Sequence, residues 1–515
     1  MEKEKFHWAD EIAEEVIKQR GNKKEYTLAA GITPSGVVHI GNFREIITVD
    51  LVNKALKDLN KNVRFIYSWD DYDVFRKVPA NALKKELLEK YLRCPITEVP
   101  DTYDNKHKSY AEHNEKEVEE TMPLVEIHPQ FIHQEKKYKN CDYAKQIKHV
   151  LENKDGIRKI LDKYRAEERS VDWWPVSIFC DKCKKDTTKI LNWNKDYCLT
   201  YECKCGHKEI FDFRKKGIVK LSWRIDWPMR WKYEGVDFEP AGKEHSTPGG
   251  SRTTAVEIFE LLYKEKPPVY LKYDFITVKG SGGKMSSSLG NVISLKETLE
   301  IYEPDVIRYL FTSSRPNKEF AISFDLDVIK IYEDFDNLEK KYFGGKADQR
   351  EKRIYELSCT EKPKQEPIKI PFRHLTMLLQ IYPKDISRIK EVFEIKNDFD
   401  KKRLETRAKC AKNWLEKYAP EEFKFQVQEE VKYHPNEKEK EALKVLQEFL
   451  EKNKADEETL SKRLYDICHE VDIDPKDFFK IAYKIIINKE KGPKLATLIM
   501  EVGANKVVKL FKQLK

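Results

Sequence analysis

Two short segments carry the residue types that phosphate chemistry needs. The first is Thr33-Pro34-Ser35-Gly36-Val37-Val38-His39-Ile40-Gly41-Asn42, set between an apolar run and a helix-like stretch. Its glycines permit a tight turn and a close backbone approach to a ligand. The start of the following helix offers unpaired N–H groups and a positive dipole end, a natural seat for phosphate. His39 and Asn42 are three apart and project from the same side of that first turn, each with a donor for phosphoryl oxygens. Gly41 leaves room for a flat base against the helix. The second segment, Gly280-Ser281-Gly282-Gly283-Lys284-Met285-Ser286-Ser287-Ser288, combines small residues, one lysine and three hydroxyls, so it offers donors to anionic oxygens. The plainer readings are a turn histidine with a capping asparagine, and a Gly/Ser linker.

Other clusters point elsewhere. The chain has ten cysteines. Five of them, Cys180, Cys183, Cys198, Cys203 and Cys205, fall in one short stretch. Cys180-x-x-Cys183 has the spacing of a metal knuckle, and Cys203-x-Cys205-Gly206-His207 offers the second half of a zinc ribbon. The fourth ligand stays open between Cys205 and His207, with Cys198 spare. Clustered cysteines in a cytosolic chain indicate metal binding more than disulfides. No Ser/His/Asp or Cys/His arrangement stands out.

The elements that must position these residues follow from periodicity. Tyr26–Ile32 and Val63–Trp69 read as strands on either side of a helix over 41–59, a βαβ unit with a parallel sheet. In such sheets ligands bind outside the carboxyl ends of the strands, so Gly31–Gly36 and Asp70–Asp73 should border one crevice. Residues from about 94 to 220 break the alternation and read as an insertion. Strand character returns at Lys220–Asp226, a helix follows near Arg252–Lys264, then an extended run at Val269–Val278. Beyond Gly280 the pattern is mostly helical.

Length and composition set the frame. A chain of 515 residues divides into three or four units of ordinary size. Aromatics at 11% argue against disorder. No run approaches the roughly 18 apolar residues of a membrane span, and the charged N-terminus lacks the apolar core of a signal peptide. A soluble cytoplasmic protein is expected. The net charge of +8 is uneven, because residues 346–515 hold a surplus of 7 basic groups and the rest a surplus of 1. That distribution suggests that the last third meets a polyanion.

Together the two segments resemble the paired signatures of the class I aminoacyl-tRNA synthetases, in the form of the archaeal-type class I lysyl-tRNA synthetases. The resemblance runs through Gly31–Gly36, Trp69-Asp70-Asp71-Tyr72-Asp73, Asp226-Trp227-Pro228-Met229-Arg230-Trp231, Gly235–His245 and Arg315-Pro316-Asn317-Lys318-Glu319. The broader class ends its first signature in His where this chain has Asn42, as its lysyl branch commonly does. Ser287 stands where a second lysine is usual. The resemblance implies a Rossmann-like doubly wound parallel sheet split by a zinc-containing insertion and followed by an all-α C-terminal region. It places the two catalytic halves at 1–93 and 220–278, a connective insertion at 94–219, a signature-loop and stem-contact unit at 279–345, and an anticodon-binding domain at 346–515.

The implied reaction joins lysine to ATP as lysyl-adenylate, releases pyrophosphate, and passes lysyl to the terminal ribose of tRNA. Mg²⁺ would travel with the ATP phosphates. His39, Asn42, Lys284, Ser286 and Ser287 are the expected catalytic residues. Pro34, Ser35, Gly36 and Gly41, with His39 and Asn42, Lys284 and Met285, should hold ATP. Gly31, Thr33, Asp70, Asp71, Trp223, Asp226 and His245 should hold lysine, since an ammonium wants carboxylates and an aromatic face. A second metal set, Asp101, His107 and His113, reads as degraded because Lys106 stands where relatives tend to have Cys. Expected partners are tRNA(Lys), lysine and ATP, with no membrane and no obligate protein partner. The rival readings are a nucleotidyltransferase without tRNA, a non-catalytic tRNA-binding module, and a class I synthetase for glutamate, which would want arginine where Asp70 and Asp71 stand.

Overall fold

The strand β1, Tyr26–Ile32, buries its first five residues in succession, the pattern of a strand covered on both faces. A computed structural model describes residues 7–79, 82–279, 292–362, 364–383 and 385–514. It begins with helix α1, Trp8–Arg20, whose N-cap His7 accepts the Ala9 N–H through Nδ1 at 3.2 Å. β1 leads through the Thr33–Val38 turn into α2, Ile40–Asp58, and then β2, Val63–Trp69. β1 and β2 pair in parallel from Tyr26↔Val63 to Ile32↔Trp69. The strand Val236–Phe238 lies on the other side of β1, also parallel.

The fourth strand, β3, Gln130–His133, pairs in parallel with β2 and ends opposite it, Trp69↔His133. It lies inside the stretch that reads as an insertion. The sheet order is β3-β2-β1 and then Val236–Phe238. The carboxyl ends of β1, β2 and β3 thus form one edge.

Two expectations need correction. Lys220–Asp226 is not a strand of this sheet. Val219–Leu221 pairs antiparallel with Val176–Ile178, and the chain turns at Ser222 into the helix Trp223–Glu234. That helix ends at Gly235, whose φ of 66° is the left-handed cap conformation that glycine adopts freely. Its aromatics and internal Pro228 made it read as extended. The run 269–278 holds two short strands, Lys272–Tyr273 and Ile276–Val278, paired with Ala241–Gly242 and Phe320–Ile322 respectively.

The chain divides into two compact units. The first comprises 1–299, 304–322 and 341–364, and holds the sheet together with a three-stranded antiparallel sheet, Thr188–Trp193, Cys198–Cys203 and Lys208–Asp212. The second comprises 300–303, 323–340 and 365–515, and is helical among its described residues. Leu443, Leu446, Leu460, Leu464, Phe478 and Ile485 centre its core. Within it the buried Arg407 donates to Glu303 at 2.7 Å, to Asp336 at 2.9 Å and to the Ile370 carbonyl at 2.8 Å. No helix among the described residues is long and apolar enough to cross a membrane.

Gly31 shows how tightly the sheet is built beneath the crevice. A Cβ there would lie 2.6 Å from the Ser68 carbonyl oxygen of β2, a backbone atom that cannot step aside. Gly31→Ala should destabilise the fold by about 1–3 kcal/mol through overpacking, read as a lowered thermal unfolding midpoint. An unchanged midpoint would show that the strands separate freely.

Candidate active site

The head of α2 is a closed hydrogen-bonded cap. The Asn42 Oδ1 accepts the His39 backbone N–H at 3.1 Å, and the His39 Nδ1 accepts the Gly41 N–H at 3.1 Å. Because Nδ1 accepts, the imidazole proton sits on Nε2. Because Asn42 caps through its oxygen, its amide N–H₂ remains a donor. The capping role and the phosphate role therefore coexist, with different atoms assigned to each. Pro34 and Gly36 are buried, Ser35 is exposed, and Gly41 is half-buried, so the turn presents backbone. The Ser35 N–H donates to the Thr33 carbonyl at 2.8 Å.

Lys284, Met285, Ser286 and Ser287 lie outside the described residues. The chain just after them is placed. The Ile40 N–H donates to the Ile293 carbonyl at 2.8 Å, and His39 forms an antiparallel bridge with Ser294. The chain at Ile293 and Ser294 thus lies against the head of α2.

The acidic wall at the strand ends is largely spoken for. The Arg230 Nη1 donates to Asp70 Oδ1 at 2.5 Å and to Ser68 Oγ at 2.8 Å, and its Nε lies 3.4 Å from Asp226. The buried Lys220 ammonium sits 2.8 Å from Asp226 and 3.3 Å from Asp73, above the Tyr138 ring. The Tyr138 hydroxyl also donates to Asp226. Burial alone would raise the Asp226 pKa, but Lys220 and Arg230 together hold it below the usual carboxylate range. Burial, then its Asp73 and Asp226 neighbours, outweigh Arg230 at Asp70 and lift it to about 6. Asp73 accepts the Thr33 hydroxyl at 3.2 Å, tying the two strand ends together.

Asp71 faces away from this group. Its Oδ2 lies 3.2 Å from His133 Nδ1 and its Oδ1 accepts the Glu135 N–H at 2.7 Å. Glu115 is 3.4 Å from the same imidazole, and hydrogen bonds donated by the ring to Asp71 and Glu115 raise the His133 pKa to about 9. Asp71 and Asp226 thus each face a cation of this chain, and burial still lifts the Asp71 pKa to about 6. Trp223 stacks on Trp227 at 5.0 Å with Arg230 over its outer face at 5.4 Å. His245 lies 2.6 Å from Ser251 Oγ and edge-on to Trp227.

One group that sequence reasoning missed is Glu45, on α2 one turn beyond Asn42. Its Oε1 accepts the Gly31 N–H at 3.0 Å and its Oε2 the Tyr273 hydroxyl at 2.5 Å. No cation pairs with it among the described residues. Burial raises its pKa to about 8, with the Glu239 and Asp70 carboxylates adding to the rise. A glutamate on a helix that carries the first signature looks like a solvated residue. The Gly31 and Tyr273 contacts, invisible in sequence, turn it inward.

Four of the clustered cysteines gather in one place. The Sγ atoms of Cys180, Cys183, Cys203 and Cys205 lie within 4.8 Å of one another, with 3.7 Å between Cys180 and Cys205 and 3.6 Å between Cys183 and Cys203. A tetrahedron of sulfurs about 2.3 Å from a zinc ion has edges of about 3.8 Å, so four thiolates fit. His207 instead faces Glu209 at 3.4 Å, and Cys198 lies outside the cluster. His107 and His113 gather with Asp104, and Asp101, 3.6 Å from the His113 Nδ1, also accepts the Tyr103 and His107 N–H groups.

With this geometry in place, kinship is informative. The family model described as "tRNA synthetases class I (K)" matches residues 6–361. A lysine–tRNA ligase of Borrelia garinii subsp. bavariensis is 50% identical, covering 98% of this chain and 99% of that protein. Those of Treponema pallidum and Pyrococcus furiosus are 45% and 41% identical, each over 98% of this chain and over 98% and 99% of their own lengths. Kinship of this extent, over nearly the whole length of each relative, makes this chain a member of the class I (K) tRNA synthetases.

Proposed function

We propose that this chain is a lysine–tRNA ligase that binds lysine and ATP across the edge formed by β1, β2 and α2. The observation that carries the choice of amino acid is Glu45. Asp70, Asp71, Asp73 and Asp226 already face Arg230, His133 or Lys220, whereas the Glu45 carboxyl has no basic partner among the described residues. An ammonium entering there would supply the missing charge. A glutamate side chain would meet an acidic wall, which disfavours the glutamate reading. The full-length kinship supports the same choice.

In this reading the lysine carboxylate attacks the α-phosphorus of ATP. The bond to the pyrophosphate oxygen breaks, and lysyl-adenylate and pyrophosphate result. A terminal ribose hydroxyl of tRNA then attacks the lysyl carbonyl and AMP leaves. The nucleophiles belong to the substrates, so the protein contributes position and charge stabilisation. His39 Nε2–H and the Asn42 amide donate to phosphate oxygens, Gly36 and Gly41 let the nucleotide lie close, and Lys284, flanked by Met285, Ser286 and Ser287, neutralises the leaving pyrophosphate. Mg²⁺ carried on the ATP phosphates would supply further neutralisation. Gly31 and Thr33 border the α-amino group, and Trp223 and His245 wall the side chain. Asp70, Asp71 and Asp226 serve as the framework that holds Arg230, His133 and Lys220.

The catalytic sheet is read as Rossmann-like, built from 1–93 and 220–278 with β3 added from the 94–219 connective segment. The unit at 279–345 would contact the tRNA stem, and 346–515 would read the anticodon. A structural Zn²⁺ is assigned to Cys180, Cys183, Cys203 and Cys205, in a cytoplasmic enzyme. Purified protein should contain about one zinc per chain by atomic absorption. Cys205→Ser should lose it and His207→Ala should keep it; the reverse pattern would exchange the ligand assignment. The decisive assay charges total tRNA with each amino acid in turn. Incorporation of lysine alone is expected, and incorporation of glutamate, or of nothing, overturns the reading.

A further inference from the structure

A cleft of about 450 Å³ lies in the first unit between the head of α1, the turn 312–318 and the start of the helix Gln349–Ser358. His7, Trp8, Glu11, Arg315, Lys318 and Arg350 line it. Three cations face one carboxylate. Arg315 pairs with Glu11 at 3.2 Å, while the side chains of Lys318 and Arg350 have no ion-pair or hydrogen-bond partner among the described residues. Arg350 stands in the first turn of its helix, where the helix dipole disfavours a cation and favours an anion.

His7 is not part of this charge. Its Nε2 faces the Thr312 carbonyl at 2.9 Å and its Nδ1 caps α1. Burial, assisted by Arg353 and Arg350, lowers its pKa to about 4. Trp8 is 6% exposed and its indole N–H has no acceptor among the described residues.

The turn that carries two of the cations is braced. The buried Arg44 of α2 donates to the Arg315 carbonyl at 3.0 Å and the Lys318 carbonyl at 2.7 Å, and the Asp274 N–H donates to the Pro316 carbonyl at 2.8 Å. Charges fixed this way lose little backbone entropy when a ligand arrives. Lysine and guanidinium groups select phosphate oxygens. The buried Trp8 offers no face for a base to stack on, so the cleft suits a backbone phosphate and not a nucleobase. On the lysine–tRNA ligase reading, the polyanion that this chain must hold is tRNA.

We propose that this cleft seats a backbone phosphate of the tRNA substrate, held by Lys318 and Arg350 beside Arg315. The test uses the full-length protein with Lys318→Ala and Arg350→Ala combined, both at exposed positions. Binding of tRNA(Lys) transcript is followed by fluorescence anisotropy across a salt series, and KM is measured for tRNA, lysine and ATP. The double variant should raise Kd and KM for tRNA about tenfold, and make the slope of log K against log salt shallower by about 2, roughly one per lost contact. KM for lysine and ATP should stay unchanged. Lys318→Arg with Arg350→Lys should restore the slope. An unchanged slope and tRNA KM overturn the proposal. So does a result in which only inhibition by free tripolyphosphate is lost, which would mark a small-anion site. If the wild type fails to charge tRNA with lysine, the activity reading falls, while the anisotropy series still decides the cleft.

Discussion

Glu45→Gln should raise KM for lysine by about 10²–10³-fold, the effect of removing one partner from a desolvated charge pair worth roughly 2–5 kcal/mol. The substitution keeps an acceptor for the Gly31 N–H and removes the capacity for negative charge, while the Tyr273 hydroxyl turns from donating to Oε2 to accepting from the new amide. The pH dependence follows from a pKa raised to about 8. Below that value the empty site carries a neutral carboxyl, and an entering ammonium must expel its proton. Lysine affinity should therefore rise with pH up to about 8 and then level off. Calorimetry at pH 7 in buffers of different ionisation enthalpy should detect close to one proton released per lysine bound, and none in the variant. A lysine KM left unchanged by the substitution would show that the ammonium goes elsewhere, with Asp73 the next group to test.

The second large effect is expected at His39. His39→Ala should lower kcat by about 10²–10³, the usual loss for one donor to developing charge, with little change in KM for lysine. Because His39 also caps α2, the alanine variant should lose about 1 kcal/mol of stability as well. His39→Asn separates the two roles. Asparagine is a strong N-cap and should recover the unfolding midpoint, but its shorter amide does not reach where Nε2–H reaches. Recovery of kcat along with stability would mean that His39 matters only as a cap.

The positions of β1, α2 and β2 were legible because alternating apolar runs and turn residues are local signals. Lys284 to Ser287 lie outside the described residues, and the chain beyond them is placed against the head of α2 at Ile293 and Ser294. The misreadings have a common cause, which is dependence on partners far away in sequence. Gln130–His133 is four residues with a polar start, and only β2 makes it a strand. Trp223–Glu234 is rich in residues that favour strands, and packing against the helix Ser251–Tyr263 decides otherwise. The cations beside Asp70, Asp71 and Asp226, namely Arg230, His133 and Lys220, were likewise not legible, since they stand 6–160 residues away and carry no mark of their destination. Glu45 was overlooked for the converse reason, since nothing local indicates that a helical glutamate has been deprived of a partner.

The edge position of β3 has a consequence for anyone who would pare the enzyme down. Joining residue 93 directly to 220 looks like the removal of a self-contained cassette, but it would strip the neighbour from β2 and leave that strand's N–H and C=O groups open along one side. It would also delete His133, and so strand the Asp71 carboxylate without its counter-ion. A miniaturised catalyst has to retain Gln130–His133, or it should come out of the cell as aggregate.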